Sequence, residues 1–190
     1  MPKPLQRITP FLWFDHQAEE AATFYVSIFK DSRITSVARY DDAAAKAAGR
    51  PKGSVMTVAF ELDEQQFTAL NGGPLFKFTE AMSLVVNCQT QEEVDHFWSK
   101  LSAGGQDVQC GWLKDRFGVS WQVVPTVLSE MLQDKDPEKS KRVMAAMLKM
   151  TKISIDRSLS SATASRGKML LSDRRSVRLP SGGVGGSVRQ

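Results

Sequence analysis

The sequence predicts an α+β domain made of two βαβββ modules, the second abbreviated, followed by C-terminal helices. One segment is written twice. Residues 18–29 (AEEAATFYVSIF) and 91–102 (QEEVDHFWSKLS) set Glu19, Glu20, Phe24 and Tyr25 against Glu92, Glu93, Phe97 and Trp98 at a constant offset of 73 residues. Each copy follows a short apolar run, ITPFLWF from Ile8 and AMSLVVN from Ala81, and each is followed by alternating, strand-like sequence. A fixed-offset repeat of strand plus amphipathic helix means two copies of one supersecondary unit. Two copies make a paired-module domain, and its site is expected on the concave surface where the modules meet.

The elements follow in order. Ile8–Phe14 alternates Ile8, Pro10, Leu12 and Phe14 on one face with Thr9, Phe11 and Trp13 on the other, a strand covered on both sides. The helix from about Ala18 to Phe29 lines up Ala21, Phe24, Tyr25 and Ile28. Arg33–Tyr40 and Ser54–Leu62 read as β-branched, alternating strands. Between them, DDAAAKAAGRPKG is a small-residue loop or a single helical turn. Gln66–Leu70 makes a fourth strand, ended by Asn71-Gly72-Gly73-Pro74.

Module two opens with Ala81–Cys88. Thr90 and Glu93 form a capping-box pattern for a helix that stops at Gly104-Gly105. The short stretch before Asp115 holds one short strand and part of another, and Val119–Val124 is the last strand, closed by Pro125. Thr126 is placed to cap VLSEMLQ, and Asp136-Pro137 is an N-cap with proline at the first helical position. Val143, Met144, Met147, Leu148 and Met150 form the apolar stripe of that last helix, either packed on the domain or turned toward a partner. From Ser158 the periodicity fails and Ser, Gly and Arg dominate. The expected organisation is a domain over 1–155, with module one at about 8–75, module two at about 80–125 and helices over 126–151. A basic tail over 156–190 is expected to be disordered.

Composition narrows the function classes. With 42% hydrophobic and 24% charged residues among 190, the chain is of the ordinary globular kind. No apolar run reaches the ~20 residues that span a bilayer, and the N-terminus lacks a signal-like apolar stretch, so no membrane partner is expected. Cys88 and Cys110, without metal-binding spacing, fit free thiols in a reducing cytoplasm. The net charge of +4 suggests nucleic acid until the chain is divided. From Arg157 onward seven basic residues stand against Asp173 alone, a net +6 that leaves residues 1–156 at −2. Nucleic-acid contact is therefore expected only weakly, through the tail.

The stretches ITPFLWFDHQAEEAATFY, FTALNGGPLFKFTEAMSLVVNC, CGWLKDRFGVSWQVVP and RVMAAMLKMTKI resemble the vicinal oxygen chelate superfamily of glyoxalases, bleomycin-resistance proteins and dioxygenases, and within it the PhnB-like group. The resemblance spans nearly all of residues 8–153. It implies a glyoxalase/bleomycin resistance-like fold whose sheets curl round a shared cavity, within or across a homodimer. In metal-dependent members of the superfamily, inward-facing His and Glu residues hold a divalent ion. The corresponding positions here are Thr9, Ala81 or Met82, Gln122, and Ala69 or Asn71, and both histidines, His16 and His96, lie off the strands. A divalent ion wants charged oxygens or imidazoles. The expectation is a site with no metal and no cofactor.

The expected pocket is then Thr9, Phe11, Trp13, Phe67, Asn71, Ser120 and Gln122, aromatic walls with neutral amides and hydroxyls. Asn71 also suits the NGG turn, and Gln122 suits either the pocket or a buried hydrogen bond. Cys110 has no histidine placed to activate it and reads as a structural thiol; Asp115 reads as shaping the turn before the last strand. Gly72-Gly73, Gly104-Gly105 and Gly182-Gly183 lack the strand–loop–helix setting of nucleotide binding. The PhnB-like group often carries a demethylubiquinone methyltransferase label, but no S-adenosylmethionine-binding pattern is present. The function expected is binding of, or action on, an unidentified small metabolite by a homodimer. The alternatives are a metal-dependent lyase or dioxygenase of the superfamily, or a methyltransferase-labelled member without a visible cofactor site. An enzyme would need a base or a metal in the cavity, whereas a binder needs only the pocket, and both stand open at this point.

Overall fold

The computed structural model describes residues 6–164. Module one comprises β1 (Phe11–Phe14), α1 (Ala18–Val26), β2 (Arg33–Arg39), α2 (Asp42–Ala48), β3 (Val55–Leu62) and β4 (Gln65–Asn71). Module two comprises β5 (Leu84–Cys88), α3 (Gln91–Leu101), β6 (Gln106–Asp107), β7 (Trp112–Lys114) and β8 (Ser120–Pro125). The sheets run β1-β4-β3-β2 and β5-β8-β7-β6, and in each the first strand pairs parallel with the fourth. The written repeat is thus a repeat of topology. The second copy is shortened chiefly in β6 and β7, of two and three residues, and among the described residues has no helix corresponding to α2.

Local chemistry explains where the elements differ from their sequence reading. β1 begins at Phe11 rather than Ile8 because Pro10 has no N–H to give a ladder, although its carbonyl still accepts from Thr68 N at 3.0 Å. The alanine run after Tyr40 forms a seven-residue helix rather than a loop or a single turn. Asp41 accepts from Ala44 N, Ala carries the best helix propensity, and Gly49 closes the helix at φ 63°. Thr126 does not cap α4 (Thr126–Leu132): it is the first helical residue, and its hydroxyl donates to Cys88 O. Thr90 does cap α3, accepting from Glu93 N, while the Glu93 carboxylate accepts from Gln89 N at 2.6 Å, one residue outside the reciprocal box.

The two sheets share one core. On strands the side chains alternate, so register assigns faces. Leu12, Phe14, Val58, Phe60, Phe67 and Ala69 from the first sheet and Val86, Cys88, Leu113, Trp121 and Val123 from the second all enter a single cluster. α1 adds Ala18, Ala21, Ala22 and Tyr25, and α3 adds Val94, Trp98 and Leu101. Small alanines let α1 lie close enough for Tyr25 to reach both sheets, with its ring 6.3 Å from Phe60 and 5.4 Å from Trp121.

The Tyr25 hydroxyl donates to Asp115 Oδ2 at 2.7 Å, and Trp121 Nε1 donates to the same oxygen at 2.8 Å. Asp115 Oδ1 accepts from Phe117 N and Val119 N. Burial holds this carboxyl above its ordinary range, opposed by the Tyr25, Trp121 and backbone donors. Burial, and then the Asp115 charge, pushes Tyr25 well above the usual phenol value, so it remains a donor.

A second, smaller core belongs to α4, α5 (Pro137–Met147) and α6 (Ile155–Thr163): Leu128, Met131, Val143, Met150, Ile153 and Ala162. Asp136 caps α5 by accepting from Glu138 N. The methionine-rich stripe divides: Val143 and Met150 are buried, whereas Met144 and Leu148 are 41% and 55% exposed. The domain edge expected after Ile155 falls inside α6. Ser154 caps that helix, Ser158 is buried with its hydroxyl on Ser154 O, and Arg142 donates to Ser161 O and Ala162 O. Hydroxyls satisfied within the helix let a serine-rich sequence form it, which periodicity could not show. The remainder of the expected tail, from Ser165, lies outside the described residues.

Two outcomes are expected. Truncation after Ala164 should leave the melting temperature unchanged, while truncation after Asp156 should lower it by about 2–8 °C, as loss of roughly 1–2 kcal/mol does in a domain of this size; differential scanning calorimetry on both forms decides this. Asp115→Asn should cost about 1–3 kcal/mol by stranding buried donors. Because Asp115 is raised in the folded state, folding takes up a proton, and its contribution falls as pH rises from the ordinary carboxylate value through the raised one. The stability gap between parent and variant should narrow across that window in urea titrations, and a gap that widens would refute the assignment.

Candidate functional site

Each sheet has a second face, turned away from the shared core. On the first sheet it carries Phe11, Trp13, Thr57, Ala59, Thr68 and Leu70, by their register with one another. Phe11 is 59% exposed and Trp13 half-buried. Trp13 is held in place: its indole N–H donates to Gly73 O at 2.9 Å and its ring meets Phe76 edge-on at 4.9 Å. A Cβ at Gly72 would lie 2.3 Å from that indole ring, so the glycine is required by the tryptophan's position.

On the second sheet the corresponding face carries Val85, Asn87, Trp112, Lys114, Ser120, Gln122 and Val124. Val85 is 49% exposed. Gln122 Nε2 donates to Ser83 Oγ at 2.8 Å, Lys114 pairs with Glu80, and the buried Ser120 Oγ has no hydrogen-bond partner.

The seven residues expected to share a pocket therefore occupy three places. Thr9, exposed just ahead of β1, stands with Phe11 and Trp13 at the first open face. Ser120 and Gln122 lie on the second. Phe67 and Asn71 are on the core side of β4, because odd positions of that strand face α1. Phe67 stacks on Phe60 at 5.4 Å. Both ends of the Asn71 amide are engaged: Oδ1 accepts from Ala18 N at 2.8 Å and Nδ2 donates to Val55 O at 3.1 Å, which sews the start of α1 to two strands.

The residues standing where the superfamily's ligands would be do not fit a divalent ion. Thr9 and Met82 are exposed, Ala69 has no donor, both ends of the Asn71 amide are engaged, and Gln122 offers only a neutral amide oxygen. Among the described residues no three His, Cys, Asp or Glu side chains converge on a common point. His16 lies beside Asp15 in the turn before α1. His96, on α3, sets Nε2 3.2 Å from Ile28 O; a carbonyl only accepts, so that nitrogen carries the proton. Cys88 is buried and its thiol is pushed up to about 11 by burial and then by the Glu93 charge, which makes it a poor nucleophile. Cys110, in a left-handed turn, directs its thiol at Met147 O. No described helix is long and apolar enough to cross a membrane.

A cleft of about 950 Å³ opens between the modules, reaching from core-side residues round the edge strand β5 to Val85 and Asn87 of the second open face. Phe29, Phe67, Phe97 and Trp121 line it, with Asp63, Glu92, Glu93, His96 and Lys30 among its polar residues. Of the seven residues expected in a pocket where the modules meet, Phe67 lines this cleft; its other walls come from segments far apart in sequence, which no local pattern marks. Gly72→Ala is expected to displace Trp13, costing about 1–3 kcal/mol as overpacking does and altering tryptophan fluorescence. An unchanged emission spectrum would show that the indole does not sit against the glycine.

Among curated proteins none matches the chain. Among solved structures, it is similar to the PhnB protein of Bacillus cereus, which carries the name 3-demethylubiquinone-9 3-methyltransferase provisionally. Identity is 38% over 64% of this chain and 100% of that one, with a TM-score of 0.57. It shares its fold with protein PA1353 of Pseudomonas aeruginosa, at 21% identity over 64% and 98% of the two chains and a TM-score of 0.52. The fosfomycin resistance protein FosX of Listeria monocytogenes is a more distant likeness, at 17% identity over 70% and 100% and a TM-score of 0.47. Residues 6–124, most of both modules, match the profile of the 3-demethylubiquinone-9 3-methyltransferase family, and the chain belongs to that PhnB-like family.

Proposed function

We propose that this protein binds a small organic molecule, without a divalent metal, in a cytoplasmic homodimer whose pocket is built on the open sheet faces. The observation that carries the reading is the composition of those faces. A sheet face turned to solvent is ordinarily polar, yet here Phe11, Trp13 and Leu70 occupy one and Val85 and Trp112 the other. Such apolar surface calls for a cover. Because the two faces turn away from the shared core, the first face of one copy and the second face of another are the natural pair to close a cavity.

The polar groups on offer are neutral. The Gln122 amide retains a free oxygen, the Ser120 hydroxyl lacks a partner, and the Trp13 indole is fixed as a wall. This is how a pocket orients an aromatic or conjugated ligand by a few hydrogen bonds on an apolar bed. Charged residues near these faces are paired, Lys114 with Glu80 and Arg33 with Glu61. The methyl transfer in the family's name is not adopted, since Gly72-Gly73 closes β4 and Gly104-Gly105 follows α3, neither opening a helix onto a cofactor.

A thermal-shift screen of small aromatic and conjugated acids, ketones and amides tests the proposal. Hits should raise the melt equally with and without EDTA, and Trp13→Ala or Gln122→Ala should weaken them by about tenfold or more, the scale of a lost hot-spot contact. Light scattering should give twice the chain mass at micromolar concentration. A monomer there, or an EDTA-sensitive melt with one bound ion per chain, would overturn the reading.

A further inference from the structure

We infer that the cleft between the modules is a second binding site, bordering the second open face at Val85 and Asn87 but distinct from the pocket at Trp13 and Gln122, and that it takes a small organic cation with an aromatic or aliphatic body. Its volume of about 950 Å³ lies in the range of ligand sites, roughly 300–1,000 Å³. The bed is aromatic and ordered: Phe29 lies 5.0 Å from Phe97 and stacks on Trp121 at 5.7 Å. Trp121 is buried beneath Phe29 and against Tyr25, so the apolar body meets the cleft through the half-buried Phe29 and Phe97.

The charge around the cleft selects the ligand's sign. Asp63, on the β3–β4 turn, faces the cleft from module one, and Glu92 and Glu93, on α3, from module two; Lys30 is the lysine among its lining. The first turn of α3 contributes a partial positive charge of about half a unit, which Glu93 answers by accepting from Gln89 N. Three carboxylates still outweigh that charge and Lys30 together. Glu92 is held below its ordinary value by its own backbone N–H and by the Thr90 hydroxyl, so it stays ionised well into mild acid.

The site is also built rather than accidental. The His96 bond to Ile28 O ties α3 to the end of α1 across the cleft, and Tyr25 and Asp115 fix the same two modules deeper down. An ammonium or guanidinium group finds the carboxylates of Asp63, Glu92 and Glu93 along the cleft. An anion of the same shape finds none of these.

Benzyltrimethylammonium is the probe, with phenylacetate and 2-phenylethanol as its anionic and neutral counterparts, each titrated into the full-length protein and followed by amide NMR. The cation should shift the amides of Lys30, Asp63 and Glu92 to Phe97, and should bind at least about tenfold more tightly than phenylacetate. The double variant Glu92→Gln, Glu93→Gln should remove that preference and leave 2-phenylethanol unaffected. Asp63→Asn, on the other module, gives an independent test should the double variant lose its fold. Trp13→Ala and Gln122→Ala should leave cation binding untouched, which separates this site from the open-face pocket. Equal binding of phenylacetate, shifts confined to the open faces, no shift at all at millimolar probe, or indifference to both carboxylate changes would each overturn the inference.

Discussion

The Asp115 carboxylate is the point on which both modules close. It gathers the Tyr25 hydroxyl from α1, the Trp121 indole from β8 and two backbone N–H groups from its own turn. A buried carboxylate is tolerable only when its oxygens are this fully engaged, because an ion stripped of water without partners costs several kcal/mol. The same donors would be stranded without it. The interaction therefore fixes more than a turn. It sets the position of Tyr25, which touches Phe60 in one sheet and Trp121 in the other, and so determines how the two copies of the repeat sit against each other.

From that arrangement the functional surfaces follow. Once both helices and both inner sheet faces are committed to one core, the outer faces are left to other partners. Phe11 and Val85 stand exposed there, while Val124 at the far end of the second face packs against the C-terminal helices. The cleft has the same origin. Where the C-terminus of α1 and the first turn of α3 diverge, the core does not close over, and Phe29, Phe97 and Trp121 form an aromatic bed below an acidic mouth. One packing decision generates both candidate surfaces, of opposite character: neutral amides and hydroxyls on the sheets, carboxylates at the cleft.

The C-terminal helices extend the second module instead of forming a separate unit. Cys110 N and Gly111 N donate to Met150 O and Thr151 O, Gln91 Oε1 accepts from Ile155 N, and Lys152 pairs with Asp95 on α3. Their core borrows Val124 from β8. The profile match ends at residue 124, so this cap lies beyond the matched segment, and it braces both the turn before β7 and the start of α3, from which Glu92 and Glu93 reach the cleft.

The sequence alone determined the repeat, and with it the fold. Glu19, Glu20, Phe24 and Tyr25 echo Glu92, Glu93, Phe97 and Trp98 because each helix must present the same stripe to an equivalent sheet, a local requirement written in helical periodicity. The caps at Thr90 and Asp136 were legible for the same reason, since their chemistry acts over a few residues, whereas the strand was read through Pro10 and begins only at Phe11. The tertiary structure decided which face of each strand became interior. Alternation says that Phe67 and Thr68 point opposite ways, but not which of them meets α1, so Phe67 and Asn71 could be grouped with Trp13 in sequence and lie across the sheet from it in space. It also decided α6, whose serines turn their hydroxyls back onto their own helix, a satisfaction that no apolar period records. The cleft belongs wholly to the tertiary structure, because a cavity is the space left between packed elements and depends on their mutual angle, which no single segment carries.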